Sequence, residues 1–303
     1  MSQFSSSDFD SQQYDNFRPV YVESFYKYLL EYHFKTAHDQ ESNSIVLDVG
    51  CGPGTAVFQM EQFFDNKFSK IIGTDPSLPM IETAAAKLQK KDKNPSLNNK
   101  TAITFKTSSC MELSEKINVK VDMITVAEAA HWFLPFKDFL KEAKKVLKPN
   151  GTLAIWGYID PCFVEYPELD NFLLSLDYGK DYFGDYWEQP GRSILRHLLD
   201  DQKIETSDGF YDIEVRKFTA ADYRSDQNLD FPLKIKRRIT VAQFRGYVDT
   251  WSAVNKRDNV LHDSKEVIDG FFAELFQKAP GLGWDTEVTV LWKAVYKFAR
   301  SSE

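Results

Sequence analysis

Apolar positions in the first half of the chain alternate between short continuous runs and longer stripes with helical spacing. Between residues 20 and 33, Val22, Phe25, Tyr26, Leu29, Leu30 and His33 form one stripe, which predicts an amphipathic helix ahead of the first strand, able to cover a site. "SIVLDVG" predicts a strand buried on both faces, and "TAVFQMEQFF" the helix that follows it. "SKIIGTD" predicts a second strand ending at Asp75, with a helix from Met80 to Lys90 behind it. "AITFKTSS" reads as strand three, and "VDMITVAEAAHWF" starts as strand four and ends in a polar, aromatic turn. In "FKDFLKEAKKVLKPNG", Phe136, Phe139, Leu140, Ala143 and Leu147 share one helical face, and "KPNG" stops that helix before strand five, "TLAIWGY". The polar stretch "DKNPSLNNK" (92–100) predicts an exposed loop.

Strand and helix in alternation imply parallel strands joined by crossover helices. After Tyr158 the rhythm changes. Residues 160–210 are rich in Pro, Asp, Tyr and Trp with short helical patches such as "SILRHLLDD", which predicts an insertion rather than further crossovers. "YDIEVRKF" (211–218) alternates as a strand does, "VAQFRGYVDTWSAV" is helical, and "TEVTVLWKAVYKFA" (286–299) reads as the closing strand. The expected architecture is α/β, with a seven-stranded, mostly parallel sheet flanked by helices in a single domain over 1–303. Within it, 1–43 is an N-terminal lid, 44–159 the ligand-binding core, 160–210 the substrate-side insertion, and 211–303 the last two strands with their helices.

Charge and cysteine content narrow the function classes. With 37 basic against 45 acidic residues in 303, the formal charge is −8, which argues against broad nucleic-acid binding and leaves the basic run "KIKRR" (Lys234 to Arg238) as a solvated face. Cys51, Cys110 and Cys162 lie far apart, so neither a disulfide framework nor a thiolate metal site is expected, and a reducing compartment fits best. The five histidines show no ligand spacing, so no metal is expected. The N-terminal "MSQFSSSDFDSQQYDNF" is no signal peptide and no apolar run is long enough to span a membrane; the expected location is cytoplasmic. Oligomeric state is not encoded legibly.

The chemistry concentrates in "LDVGCGPGT". Glycines 50, 52 and 54 follow a buried strand, where ligands of open parallel sheets bind, and they let a ligand approach the backbone. A dinucleotide fingerprint expects Gly or Ala where Thr55 stands, and Asp48 just before the turn suits an ammonium group better than a pyrophosphate. These residues, with "IIGTD" and the "NG" turn before strand five, resemble the class I S-adenosylmethionine-dependent methyltransferases, whose Rossmann-like fold matches the predicted order. The resemblance implies that Asp48, Gly50, Gly52 and Gly54 surround the methionyl end of the cofactor and that Asp75 accepts from both ribose hydroxyls. It places Met80 near the ribose or adenine and Ser109 and Cys110 near the adenine, with Cys51, Pro76 and Glu128 completing the set.

Methyl transfer from a sulfonium requires alignment and exclusion of water; a carboxylate nucleophile is already ionised at neutral pH, whereas a phenol, amine or carbon benefits from a base. The absence of an obvious catalytic dyad favours an acid acceptor. Four stretches can line the acceptor side: "YDNFRPVY" with Arg18, "EAAHWF" with His131 and Trp132, "WGYIDP" with Tyr158, and "YWEQPGRS" with Trp187 and Arg192. Together with "TWSA" they resemble the yeast trans-aconitate methyltransferase group. That resemblance implies methyl-ester formation on a small polycarboxylic acid, trans-aconitate foremost, with Arg18, Arg192 or both holding the carboxylates that are not methylated. A xenobiotic acid such as cantharidin, a cofactor-binding regulator without turnover and a nicotinamide oxidoreductase are the alternatives.

Overall fold

A computed structural model describes residues 17–35, 43–92, 101–227 and 230–303; the polar loop expected at 92–100 and the first sixteen residues lie largely or wholly outside them. The buried apolar runs become strands β1 (Ile45–Val49), β2 (Lys70–Asp75), β3 (Ala102–Thr107), β4 (Val121–Ala127) and β5 (Leu147–Phe163). β6 (Phe210–Phe218), β7 (Lys236–Thr240) and β8 (Glu287–Ser301) follow. The sheet order is β3-β2-β1-β4-β5-β8-β6, with β7 also paired to β8. β1 to β5 are parallel and β8 runs against its neighbours.

The sheet therefore has eight strands rather than seven among the described residues, and the extra one begins in the basic run and extends two residues past it. β7 pairs with Glu287–Leu291 of β8 and β6 with the later Ala294–Ser301, so the two share one edge of the long closing strand. Five residues with three charges do not read as a strand, yet lysine and arginine are what an exposed edge carries to prevent further pairing. Arg238 reaches Glu165 and Glu287, and Arg237 donates to the carbonyls of Phe17 and Arg18.

Alternate residues of each central strand feed opposite apolar layers. Val46, Met123, Ala154 and Trp156 face the layer containing α1 (Glu23–Phe34) and α2 (Thr55–Phe63). Leu47, Ile124, Leu153 and Ile155 face the other, where Phe139, Leu140 and Ala143 of the helix Phe136–Val146 pack. Phe25 and Tyr26 of α1 meet Trp156 edge-on, and Tyr32 joins its buried face.

α1 is fastened rather than hinged. The fully buried guanidinium of Arg300 donates to the carbonyls of Tyr32 and His33 at its C-terminus, and His33 Nδ1 lies 2.7 Å from Thr152 Oγ1. Ahead of the helix, the segment 17–22 is held by Arg237 and by Phe17 packing on Gly246.

The cap over the strand ends also departs from the expected boundaries. β5 runs on to Phe163 past a bulge at Asp160, and the cap combines residues 164–209 with the helices Val241–Asp249, Ser252–Leu261 and Ser264–Lys278. Phe172 stacks on Phe271 with centroids 4.4 Å apart, and Trp187 meets Trp251 at 5.6 Å, which joins the two segments. An amphipathic pattern shows that a helix has a buried face without showing what it buries it against.

Candidate functional site

β1 lies between β2 and β4, so the sheet order reverses there and the loops after these strands open a crevice. The amides of Gly50 and Cys51 both donate to the Thr74 carbonyl, at 2.7 and 2.9 Å, folding the turn onto β2. Gly50 has φ +73°, and a Cβ there would lie 2.5 Å from the Cβ of Ala129, so the turn after β4 can pack directly on it. Gly52 has φ +53°, and the position of its missing Cβ meets nothing within 4 Å: this stretch of backbone faces open space. Gly54 caps α2 with φ +87° and supplies no side chain. Cys51 is buried, and burial pushes its thiol up.

Two acids flank this loop. Asp48 is fully buried; Thr125 Oγ1 donates to its Oδ1 at 2.6 Å, while Oδ2 is buried with no hydrogen-bond partner. Burial pushes its carboxyl up to about 7, opposed by the Thr125 bond and reinforced by Asp75. Asp75 accepts from the Gly52 amide at 3.0 Å and the Ser77 amide at 2.8 Å, one on each oxygen, which leaves each oxygen a further acceptor direction. Burial raises its pKa and those two amides oppose the rise. Beyond it Pro76 is exposed, and Met80 is only 5% exposed yet belongs to neither apolar layer. The turn after β3 joins the same edge: the Ser108 amide donates to the Asp75 carbonyl, Ser109 Oγ accepts from the Met111 amide, and the half-buried Cys110 thiol is pushed up to about 11 by burial. The expected cofactor residues of the first three strand ends thus line one crevice.

Glu128 directly precedes Ala129, which packs on Gly50, but its side chain is held by another strand. It takes a left-handed backbone, φ +54°, and its carboxyl turns toward β5, where Oε2 accepts from the Tyr158 amide at 2.7 Å. Burial pushes the carboxyl up to about 7, opposed by that amide and by the charges of Arg18 and Arg192. The Glu128 carboxyl therefore lies beside β5, within reach of the charges of Arg18 and Arg192.

The residues expected on the acceptor side come from four elements. His131 is buried with Nδ1 unpartnered, and burial, then the nearby Arg192, lower its pKa to about 3, so the ring is neutral. Trp132, 37% exposed, lies over Gly191, where a Cβ would come within 2.6 Å of its ring. Arg192 pairs through Nη2 with the buried Asp177 at 2.5 Å, stacks 3.6 Å over the Trp187 ring, and leaves Nε buried without a partner. Arg18 donates to the Thr250 carbonyl at 3.1 Å and lies over Tyr247, while Tyr21 meets Tyr158 edge-on.

Trp187 carries Arg192 on its face and donates from Nε1 to the Asp177 carbonyl at 2.7 Å. Asp177, Tyr178 and Tyr247 escape the sequence reading, whereas Tyr21 closes the expected stretch "YDNFRPVY". Asp177 sits in "DNFLLSLDY", where an acid near a helix end looks solvated; its burial comes from the distant Arg192 and Trp187. Among the described residues, no group of three or more His, Cys, Asp or Glu side chains is arranged for a metal ion, and no helix is long and apolar enough to cross a membrane.

A family model described as a methyltransferase domain matches residues 47–155. Along 98% of both chains, the sequence is 30% identical to the "Probable S-adenosylmethionine-dependent methyltransferase CRG1" of Saccharomyces cerevisiae. Methyltransferase pgmE of Aspergillus terreus is 29% identical over 53% of this chain and 46% of its own length. Among solved structures, one from Anaeromyxobacter dehalogenans given as a type II methyltransferase superposes with a TM-score of 0.65 at 21% identity, covering 94% of this chain and 98% of the other, which shows a shared fold.

Proposed function

The chain belongs to the class I S-adenosylmethionine-dependent methyltransferases, and from that premise we propose that it forms a methyl ester on a small polycarboxylic acid, trans-aconitate foremost, in the cytoplasm. The crevice residues fit the cofactor. Asp48 offers an unpartnered buried carboxylate oxygen to an ammonium group, Gly52 a bare backbone, and Asp75 two oxygens to a ribose diol. Ser109 and Cys110 border the adenine end, and Met80 packs between. When bound, the cofactor supplies an activated methyl group on a sulfonium.

The protein's share of the work is placement. A carboxylate acceptor arrives ionised, so no side chain has to remove a proton before attack. The carrying observation is the pair of unpartnered buried nitrogens, Arg192 Nε and His131 Nδ1, on adjacent elements beside the end of β4. Burial makes an unpaired donor costly, and a carboxylate accepting from arginine and from neutral imidazole N–H would relieve it. Asp177 and Trp187 fix the guanidinium, while Trp132 and the 17–22 segment exclude water.

The test is incubation with methyl-labelled cofactor and a panel of organic acids including trans-aconitate and cantharidin-derived diacid. Base-labile label on a polycarboxylic acid is the expected result. Base-stable label on another acceptor overturns ester formation, and undiminished cofactor binding without any transfer favours the regulator.

A further inference from the structure

Glu128 is the acid that the acceptor reading leaves unexplained. Its position is built for it. The absent side chain of Gly157 makes the space, since a Cβ there would lie 2.9 Å from Glu128 Oε2 and 3.2 Å from Leu195. The Tyr158 amide supplies the only hydrogen bond to its carboxyl among the described residues. An acid held in left-handed backbone against a glycine notch, between arginines of the leading segment and of the cap, is a costly arrangement to keep for packing alone.

The charge count around it sets a problem for an anionic acceptor. Arg18 on the leading segment and Arg192 on the cap face Glu128, and Arg192 is already matched by Asp177. The other titratable neighbours are Tyr158 on β5, Tyr21 beside it, neutral His131 on the same turn, and Tyr247 beneath Arg18. Farther out Asp160 is matched by Lys293, and Arg196 is exposed on Tyr178. Two partly buried cations, Arg18 and Arg192, thus face two carboxylates, the partly buried Glu128 and the buried Asp177. A carboxylate entering this group leaves it with excess negative charge in a poorly solvated space, and that is resolved most simply by a proton.

We propose that Glu128 is a substrate contact that holds the acceptor in its protonated form, so that each acid molecule enters the site together with one proton. The inference rests on the acid-acceptor reading above. The proton comes from solvent onto the Glu128 carboxyl, whose O–H then donates to a substrate carboxylate beside the unpartnered Arg192 Nε. Protonation forms one O–H bond on Glu128 and binding adds only hydrogen bonds; methyl transfer would then make the ester C–O bond as the sulfonium S–C bond breaks, and the Glu128 proton returns to solvent when the ester departs. Burial already brings the carboxyl up to about 7, and an anion drawing on the same arginines raises it further.

The experiment is calorimetric titration of trans-aconitate into the full-length protein saturated with S-adenosylhomocysteine, in buffers of different ionisation enthalpy near pH 7.5, for wild type and Glu128→Gln. Uptake of about one proton per acid in wild type and none in the variant is expected. In turnover, the wild-type KM for the acid rises about tenfold per pH unit above 7, whereas the Glu128→Gln KM stays flat near the wild-type low-pH value. Wild-type binding without proton uptake overturns the proposal even if the variant fails to fold. Loss of S-adenosylhomocysteine affinity in Glu128→Gln with an unchanged acid KM would overturn it too, by assigning Glu128 to the cofactor. If no acid is methylated at all, the acceptor reading has failed, a result distinguishable from methylation without proton uptake.

Discussion

Replacing Asp48 by Asn separates what this residue does for folding from what it does for the cofactor. The carboxyl is fully buried, moved from 3.8 to about 7, and one of its oxygens has no partner. Because the folded-state pKa is raised, the folded protein holds a proton that the unfolded chain releases between about pH 4 and pH 7. Stability from this group is present below that window and is lost as pH rises through it. A shift of about three units corresponds to a ceiling of about 4 kcal/mol. Asparagine does not ionise, so the stability of the variant relative to wild type should climb by roughly 1–4 kcal/mol between about pH 4 and pH 7.5, measured by urea denaturation of the cofactor-free protein. The change across pH is the quantity to read, since both the amide and the protonated acid present an unmatched N–H or O–H to the same space. Cofactor affinity should move the opposite way. Losing a charge-assisted bond to an ammonium costs about 1.5–3 kcal/mol, or roughly 10- to 150-fold in Kd for S-adenosylhomocysteine. Wild-type affinity should itself decline below about pH 7, because binding must then ionise Asp48. Parallel stability profiles for the two proteins, or unchanged Kd in the variant, would refute the reasoning.

Asp75→Ala removes the acceptor for the ribose hydroxyls and also frees the Gly52 and Ser77 amides; S-adenosylhomocysteine binding by calorimetry should weaken at least about tenfold, and normal affinity would reject the ribose role. Arg192→Ala should raise the acid KM by about 10- to 100-fold with cofactor affinity preserved, and Arg192→Lys should not rescue it, because an ammonium reproduces neither the 3.6 Å stack on Trp187 nor a planar fork. An unchanged KM would return Arg192 to a purely structural ion pair. Arg300→Met should lower stability by about 2–3 kcal/mol in urea denaturation, since the carbonyls of Tyr32 and His33 lose their donor and Asp212 its partner; a near-neutral result would show that α1 is held by its aromatic face alone.

What the sequence discloses about this molecule follows the range of the interactions involved. The glycine turn and its flanking acids are local: Gly50, Gly52 and Gly54 are required by φ angles and close approaches set within a strand-turn-helix unit, and Asp48 and Asp75 are fixed at strand ends by the runs before them. The cofactor crevice is therefore readable in the chain. The acceptor side is assembled from positions far apart in sequence. Arg192 reads as an ordinary surface arginine until Asp177, fifteen residues earlier, and Trp187 are folded against it. Glu128 reads as a continuation of strand four's cofactor contacts until Gly157 opens a notch on the neighbouring strand and draws its carboxyl across. The basic run "KIKRR" shows the same limit in reverse. Its charges suggest a solvated face, and Arg237 instead fastens the segment that carries Arg18, through Phe17 and Arg18 carbonyls more than two hundred residues away. A run that looks like surface thus helps hold the segment that carries Arg18 in place. Substitutions in β7 far from the chemistry should then alter the acid's KM before they alter cofactor binding, because the crevice is built without β7 and the covering segment is not.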